Sequence, residues 1–307
     1  MFSMSNSRSD QNSAIRIGII GGSGLGAALL DGIDASATES HDVATPFGSP
    51  SGPITTGEYG DVSVALLQRH GDGHRLNPSQ VPYRANIFAL KALGCTHVLA
   101  SGACGSLRED VAPGDLMLVD QFLDRTDGRD RTFYDHAAVH VEFADPVCGV
   151  MHRWLKEAAS ALPETTVHDG GTYVCMEGPS FSTRAESHMH RAMGADIVGM
   201  TALPEARLAR EAEMAYALVG LPTDYDCWRP RPDDVDAMSL LQEIIGNLQK
   251  ATAASIALIR AALDDVSALR REPSLAHDAL ALGIWTDKSM VDRAEVERLA
   301  PLWGRHF

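Results

Sequence analysis

Asp224 and Asp226 stand two residues apart in Thr223-Asp224-Tyr225-Asp226-Cys227-Trp228, just after the apolar run Tyr216 to Leu221. If that run is a strand, alternation along it points both carboxylates the same way. Burying acids costs free energy, so paired acids at the end of a buried strand are usually kept for a ligand or for proton transfer. A solvated loop is the alternative for an Asp-x-Asp pair taken alone.

Other strand ends carry groups suited to an anion. Arg69-His70 closes an apolar run, and an Arg fork with a His donor suits phosphate oxygens. The turn Gly21-Gly22-Ser23-Gly24-Leu25-Gly26 and the stretch Gly102-Ala103-Cys104-Gly105 each follow a strand and offer backbone N–H groups. Thr201 follows Ile197-Val198 by way of Met200. Each has a plain structural reading: a surface basic pair, a tight turn, a helix N-cap before Pro204. Taken together, Ser23, Arg69, His70, the Ala103 backbone and Thr201 are candidate anion donors. With Asp224 and Asp226 they converge as the lining of a crevice at strand ends would.

Two further motifs carry less. Gly22 to Ala27 fits a loose dinucleotide pattern, but that fold needs a second strand ending in an acid, and residues 31–48 contain no apolar strand. A lone phosphate suits the turn better. The pairs His188/His190 and His136/His140 lack a closed set of ligands, so no metal is expected.

The elements that must position these groups follow from hydrophobic pattern. Strands are expected at Ile15 to Ile20, Ile54 to Glu58, Val62 to Gln68, Thr96 to Ser101, Leu116 to Val119, Thr172 to Cys175, Ile197-Val198 and Tyr216 to Leu221. Helices are expected at Pro78 to Leu93, Val147 to Leu162, from an N-cap at Ser182 to Met193, at Pro204 to Met214 and along Val235 to Leu269. Asp120 to Ala144 reads as a long polar loop, which in a compact domain is functional or part of an interface. The alternation gives an α/β fold with a central mixed sheet flanked by helices. Residues 1–14 read as a disordered tail, 15–269 as one domain and 270–307 as a helical C-terminal extension.

With 307 residues, 45% hydrophobic and 22% charged, the composition is that of a soluble globular chain. A net charge of −15 argues against nucleic acid and against anionic membrane surfaces as partners. No run is long enough to span a membrane and the leader has no apolar core, so a cytoplasmic location is expected. The five scattered cysteines, odd in number and without a Cys-x-x-Cys, fit reduced thiols.

In order along the chain, several motifs resemble the trimeric purine nucleoside phosphorylase family, on its 5′-methylthioadenosine-cleaving side. They are Gly21-Gly22-Ser23-Gly24-Leu25, Thr45-Pro46-Phe47-Gly48, Arg69-His70-Gly71, Ala103 to Arg108, Glu177-Gly178-Pro179, Phe181 to Ser187, Met200-Thr201 with Pro204-Glu205, and Thr223 to Trp228. The resemblance covers Ile15 to just past Leu241. It implies a homotrimer with active sites near subunit interfaces. Its implied reaction is phosphorolysis of 5′-methylthioadenosine to adenine and 5-methylthioribose 1-phosphate, without cofactor. Phosphate would lie on Ser23, Arg69, His70, Ala103 and Thr201, with Met200 under the ribose. Phe181 would stack on the purine with Ser182 at its edge, and Asp224 and Asp226 would meet N7 and the 6-amino group. Ala237, Leu240 and Leu241 would line the methylthio pocket, with His140 arriving from a neighbouring subunit. The pattern departs at Ser23, Gly102 and Gly199, where Thr, Thr and Asn are more usual, and Ala237 is small for its place.

The chemistry agrees with that assignment. Breaking an N-glycosidic bond puts positive charge on the ribose and negative charge on the base, so an acid near N7 is needed. A 6-amino group wants an acceptor such as Asp226, whereas a carboxylate would repel a 6-oxo group. Competing readings are a sister phosphorylase for 5′-methylthioinosine or other purine nucleosides, a nucleoside-binding protein without catalysis, and an oxidoreductase built on the Gly-rich turn.

Overall fold

The computed structural model describes residues 15–22, 29, 38–230 and 236–307. Its strands are β1 (Arg16–Gly21), β2 (Glu39–His41), β3 (Ile54–Tyr59), β4 (Val62–Gln68), β5 (His97–Ser106), β6 (Leu116–Leu118), β7 (Gln121–Arg125), β8 (Val167–Asp169), β9 (Thr172–Met176), β10 (Ile197–Gly199) and β11 (Ala215–Asp224). Its α-helices are α1 (Tyr83–Ala92), α2 (Gly149–Ala159), α3 (Arg184–Ala192), α4 (Glu205–Glu211), α5 (Ala237–Leu263), α6 (Ser267–Arg271), α7 (Arg293–Arg298) and α8 (Ala300–Trp303).

The strands form one mixed sheet in the order β2-β3-β4-β1-β5-β10-β9-β7, with β11 also on β5, β6 on β11 and β8 on β6. The central strands alternate between two apolar layers. Ile17, Ile19, Val64, Leu66, Leu99, Ala217 and Val219 face one layer, and Ile20, Ala65, Leu67, Val98, Ala100, Tyr216 and Leu218 face the other. Both faces are therefore buried, which explains why these strands read as continuous apolar runs. α2 and α5 cover the first layer through Trp154, Leu155, Leu258 and Ile259. α1, α4 and the C-terminal segment cover the second, to which Leu280, Leu299, Leu302 and Trp303 belong.

The mixed α/β architecture expected from the sequence is present, with local corrections. Gln121–Arg125 is a strand, parallel to β9, where a loop was expected. The polar segments Glu39–His41 and Val167–Asp169 are short strands, held by backbone pairing rather than by apolar pattern. β5 runs on to Ser106, because β11 lies parallel to it along almost its whole length. Gly102 to Gly105 is thus strand, not turn. Pro78–Gln80 is a separate 3₁₀ turn before α1. The N-cap of α3 is Thr183, not Ser182: its side chain accepts from the Glu186 N–H in a capping box.

Candidate active site

β11 ends at Asp224, where its register with β5 breaks between Pro222 and Asp224. Asp226 lies in the left-handed region with φ 48°, a conformation Asp tolerates better than most residues. Its backbone N–H donates to Asp224 Oδ1 at 2.7 Å, and the Thr223 hydroxyl donates to Asp224 Oδ2 at 2.7 Å. The acids meet through this turn, not through the strand alternation expected from the sequence. Gly105 lies against them: a Cβ there would stand 3.2 Å from Asp226 Cβ and 3.3 Å from Asp224 Oδ1. Asp226 Oδ2 is sealed from solvent and has no hydrogen-bond partner among the described residues. A buried acceptor in that state calls for a donor.

Arg69 is 1% exposed, just past β4. Its Nε donates to Glu205 Oε2 at 2.8 Å and its Nη2 to Glu205 Oε1 at 3.0 Å. Its Nη1 donates to the Ser101 carbonyl at 2.9 Å, and the Tyr216 hydroxyl donates to Glu205 Oε1 at 2.9 Å. Burial works against the guanidinium charge, but the Glu205 carboxylate over-compensates and holds its pKa above the ordinary value. A guanidinium has five N–H groups, so two are left beyond these three bonds. A Cβ at Gly102 would lie 3.5 Å from Thr201 Oγ1 and 3.9 Å from Arg69 Nη1. Arg69, Thr201 and β5 thus meet at one point, beside the exposed Ala103.

His70 is buried, and desolvation pushes its imidazole down to about 4. Its Nδ1 donates to the Leu76 carbonyl at 2.8 Å, and the ring stacks on His74 at 4.1 Å. A neutral ring used this way has no second N–H to give. The donor that the sequence suggested in the His70 side chain is therefore already spent, and the backbone N–H is the one that remains. Ser23 lies outside the described residues.

The groups expected around a nucleoside lie on several separate segments. Phe181 is 86% exposed and stacks on no described ring. The Ser182 carbonyl accepts from Cys227 Sγ at 3.2 Å, which ties that segment to the acid turn. Met200 is half-buried against Gly178, where a Cβ would come within 2.6 Å of its sulfur. Asn247 on α5 donates to the Thr223 carbonyl at 3.0 Å, placing that helix beside the acids. On it Leu240 is half-buried and Leu241 is 50% exposed. Ala237 opens the helix, but its side chain lies outside the described residues. His140 is exposed; its N–H donates to the Gly283 carbonyl at 2.8 Å, and its ring meets Trp285 edge-on at 4.9 Å. Its described contacts are therefore with the C-terminal segment and not with the acids.

Sequence reasoning missed the residues that hold the site together. Glu205 reads as an ordinary first-turn helix acid, and Tyr216 as core. Arg129 gives no periodic signal at all, lying in a polar stretch. Its side chain is 3% exposed and donates to Glu177 Oε2 at 2.9 Å, the Glu177 carbonyl at 2.7 Å, the Met200 carbonyl at 2.8 Å and the Leu203 carbonyl at 2.7 Å. One buried guanidinium thus fastens the segment leading to Phe181 onto the segment carrying Met200 and Thr201.

The Arg69–Thr201 point and the Asp224–Asp226 turn both lie against β5, the first at Gly102 and the second at Gly105, and the class of protein follows from the sequence comparisons. Residues 16–264 match the model of the phosphorylase superfamily, and the chain belongs to that family. It is 44% identical over 292 residues to the S-methyl-5'-thioadenosine phosphorylase of Geobacter sulfurreducens, covering 94% of this chain and 98% of that one. It is 46% identical to the enzyme of the same name from Chloroflexus aurantiacus, covering 95% of this chain and 98% of that one. Among solved structures, a methylthioadenosine phosphorylase from an Antarctic soil metagenomic library superimposes with a TM-score of 0.83 at 44% identity, covering 94% of this chain and 99% of that one. The Schistosoma mansoni methylthioadenosine phosphorylase in complex with adenine gives a TM-score of 0.77 at 37% identity, over 88% and 99% of the two chains.

Proposed function

We propose that this chain is an S-methyl-5'-thioadenosine phosphorylase, a pentosyltransferase that converts 5′-methylthioadenosine and phosphate to adenine and 5-methylthioribose 1-phosphate. The observation that carries the reading is the placement against one strand, β5, of the Asp224–Asp226 turn at Gly105 and of a buried Arg69 that keeps two N–H groups unspent near Gly102. The relatives of the same name support it.

Phosphate sits at the point where Arg69 Nη1, Thr201 Oγ1 and β5 converge. Arg69 and Thr201 donate from side chains, and His70 and Ala103 from backbone N–H groups. Ser23 adds a hydroxyl from the Gly-rich turn. A phosphate oxygen attacks C1′ of the ribose as the bond to the base nitrogen breaks, and the electron pair leaves with the base. Asp224, protonated when the substrates are bound, delivers that proton to N7, so the base departs neutral and Asp224 ends as the carboxylate that the Asp226 N–H and the Thr223 hydroxyl stabilise. Asp226 accepts from the 6-amino group through its carboxylate, turned toward the base when the nucleoside binds, which is why adenine is favoured over a 6-oxopurine. Met200 lies under the ribose, Phe181 stacks on the purine with Ser182 at its edge, and Ala237, Leu240 and Leu241 line the methylthio pocket. The phosphate is a co-substrate, and the chemistry requires no cofactor or metal.

The active form is a homotrimer. On α5, Met238, Leu241, Ile245 and Leu248 leave 62%, 50%, 45% and 38% of their surface exposed. They recur at helical spacing, and such a stripe on a single copy marks a contact surface. Phe181 at the rim and His140 with Trp285 on the far loop belong to the same set, His140 completing the neighbour's site. Sedimentation of the purified protein tests this. The free thiols suit a cytoplasmic setting, and no described helix is long and apolar enough to cross a membrane.

The deciding experiment is release of free base from 5′-methylthioadenosine, 5′-methylthioinosine, adenosine and inosine, with and without phosphate. Phosphate-dependent adenine release, fastest from 5′-methylthioadenosine, is the expected result. Preference for the inosine forms overturns the role of Asp226, and release independent of phosphate overturns the phosphorylase.

A further inference from the structure

Arg69 is a cation sealed inside the protein, and the ionised group that meets it is Glu205, itself 1% exposed. The carboxylate takes the Nε and Nη2 edge of the guanidinium in a fork, and the Tyr216 hydroxyl adds a third donor to it. Tyr216 and Tyr83, the other titratable groups acting on Arg69, are neutral, burial pushing both phenols upward. The Arg69–Glu205 unit thus has no net charge, while the guanidinium still has one N–H on Nη1, at the corner beside Thr201, and one on Nη2 to give. A guanidinium is so small that an anion at this corner lies within about 6 Å of the carboxylate, near enough in a buried site for the two negative charges to interact strongly.

That arrangement is ill-suited to tight capture of a dianion and well suited to the reaction proposed above. The departing base leaves a cationic ribose, and the negative charge of the phosphate both stabilises that cation and attacks it. A bare Arg cation would hold the phosphate tightly in the ground state and drain its charge, so binding strength would be gained where it does not accelerate the step.

Resting on that reading, we infer that Glu205 is a charge-setting positioning residue: it aims the Arg69 fork and cancels its charge, so that phosphate is bound weakly by N–H groups and keeps its own negative charge for the reaction. Glu205 does not touch substrate; it acts through Arg69.

The test compares Glu205→Gln with Glu205→Asp in the full chain, by phosphate KM and kcat at saturating nucleoside and by the thermal shift that inorganic phosphate produces. Gln keeps the length and one acceptor oxygen, and its amide can donate to Tyr216. In Glu205→Gln the phosphate KM should fall about fivefold or more, the phosphate-induced thermal shift should grow, and kcat should fall about tenfold or more. Glu205→Asp keeps the charge but shortens the arm, so its phosphate KM should stay level or rise. A purely structural role raises the phosphate KM in both variants, which overturns the inference. Failure to recover soluble Glu205→Gln even from phosphate buffer also overturns it, since bound phosphate should then supply the missing negative charge. Lack of phosphate-dependent turnover in the wild type sinks the parent reading instead, whereas an active wild type beside a Gln variant that binds phosphate no more tightly sinks this inference alone.

Discussion

Asp226 gives its backbone N–H to Asp224 Oδ1 at 2.7 Å, so the two acids are one unit whose spacing is set by the main chain. The link is made by the main chain, so a replacement that keeps the left-handed turn, such as Asn, keeps the bond, and it holds Asp224 in place while Asp226 Oδ2 stays partnerless. The two carboxylates can therefore be altered separately, one for proton transfer and the other for recognition.

Asp226→Asn should change which base is preferred. An amide can turn a donor toward a 6-oxo group, whereas the carboxylate only accepts. The ratio of kcat/KM for 5′-methylthioadenosine over 5′-methylthioinosine should fall by about a hundredfold or more. Asp224→Asn, in contrast, should lower turnover of both by about a hundredfold or more with little change in adenine binding. An unchanged substrate ratio in Asp226→Asn would remove Asp226 from base recognition.

Gly105→Ala tests the floor beneath this unit. The new methyl would stand 3.2 Å from Asp226 Cβ and Val198 Cγ1 and 3.3 Å from Asp224 Oδ1, so the acid turn must give by a few tenths of an ångström. Overpacking of this kind costs about 1–3 kcal/mol of stability. Misplaced acids should lose more than that in function, with kcat/KM down about tenfold or more at a modestly lower Tm. Full activity would show that the turn is not held against β5 as tightly as the contacts imply.

Much of this was legible in the sequence, and the reasons differ by residue. β1, β4, β5 and β11 announce themselves because both faces of each are buried, so apolar runs are unavoidable. Arg69, Thr201 and the two acids could be grouped because each follows such a run. What pattern cannot carry is pairing between polar segments: β7 and β8 are strands because β9 and β6 lie beside them. Glu205 stands in one of the family motifs, but its role could not be read for a related reason, since its partner Arg69 lies 136 residues away. The turn at Asp226 also escapes strand periodicity, because it depends on a positive φ and a backbone bond to a side chain.

Arg129→Lys probes a residue that no periodicity marks. An ammonium cannot span Glu177, Met200 and Leu203 as the planar fork does. Breaking a buried network of this kind costs about 3 kcal/mol. The segments carrying Phe181 and Met200 should lose their fixed spacing, so the KM for 5′-methylthioadenosine should rise about tenfold or more. A soluble variant with an unchanged nucleoside KM would confine Arg129 to stability alone.

The pH dependence of stability should carry the signature of Glu211. This carboxyl is buried at the end of α4, and desolvation pushes it up to about 7, although the Phe133 N–H at 2.9 Å and the Thr132 hydroxyl at 3.1 Å both favour its ionised form. Between its unfolded value near 4.5 and about 7, the folded chain keeps a proton that the unfolded chain has released. Unfolding free energy then falls as pH rises: the contribution is fully present below about 4.5 and lost through about 7, at most about 3 kcal/mol. His70 and His97, held neutral by burial and pushed down to about 4 and about 3, act in the opposite sense, adding stability as pH climbs toward the ordinary histidine range. The two effects separate in a difference measurement. Glu211→Gln keeps an acceptor for Thr132 and Phe133 but cannot titrate, while the histidines are unchanged. Denaturant midpoints for the two proteins between pH 4.5 and 8 should show the variant gaining on the wild type as pH rises, the gain levelling off just above 7. A difference that stays constant across that range would mean that Glu211 titrates alike in both states, and its burial would then carry no pH-dependent cost.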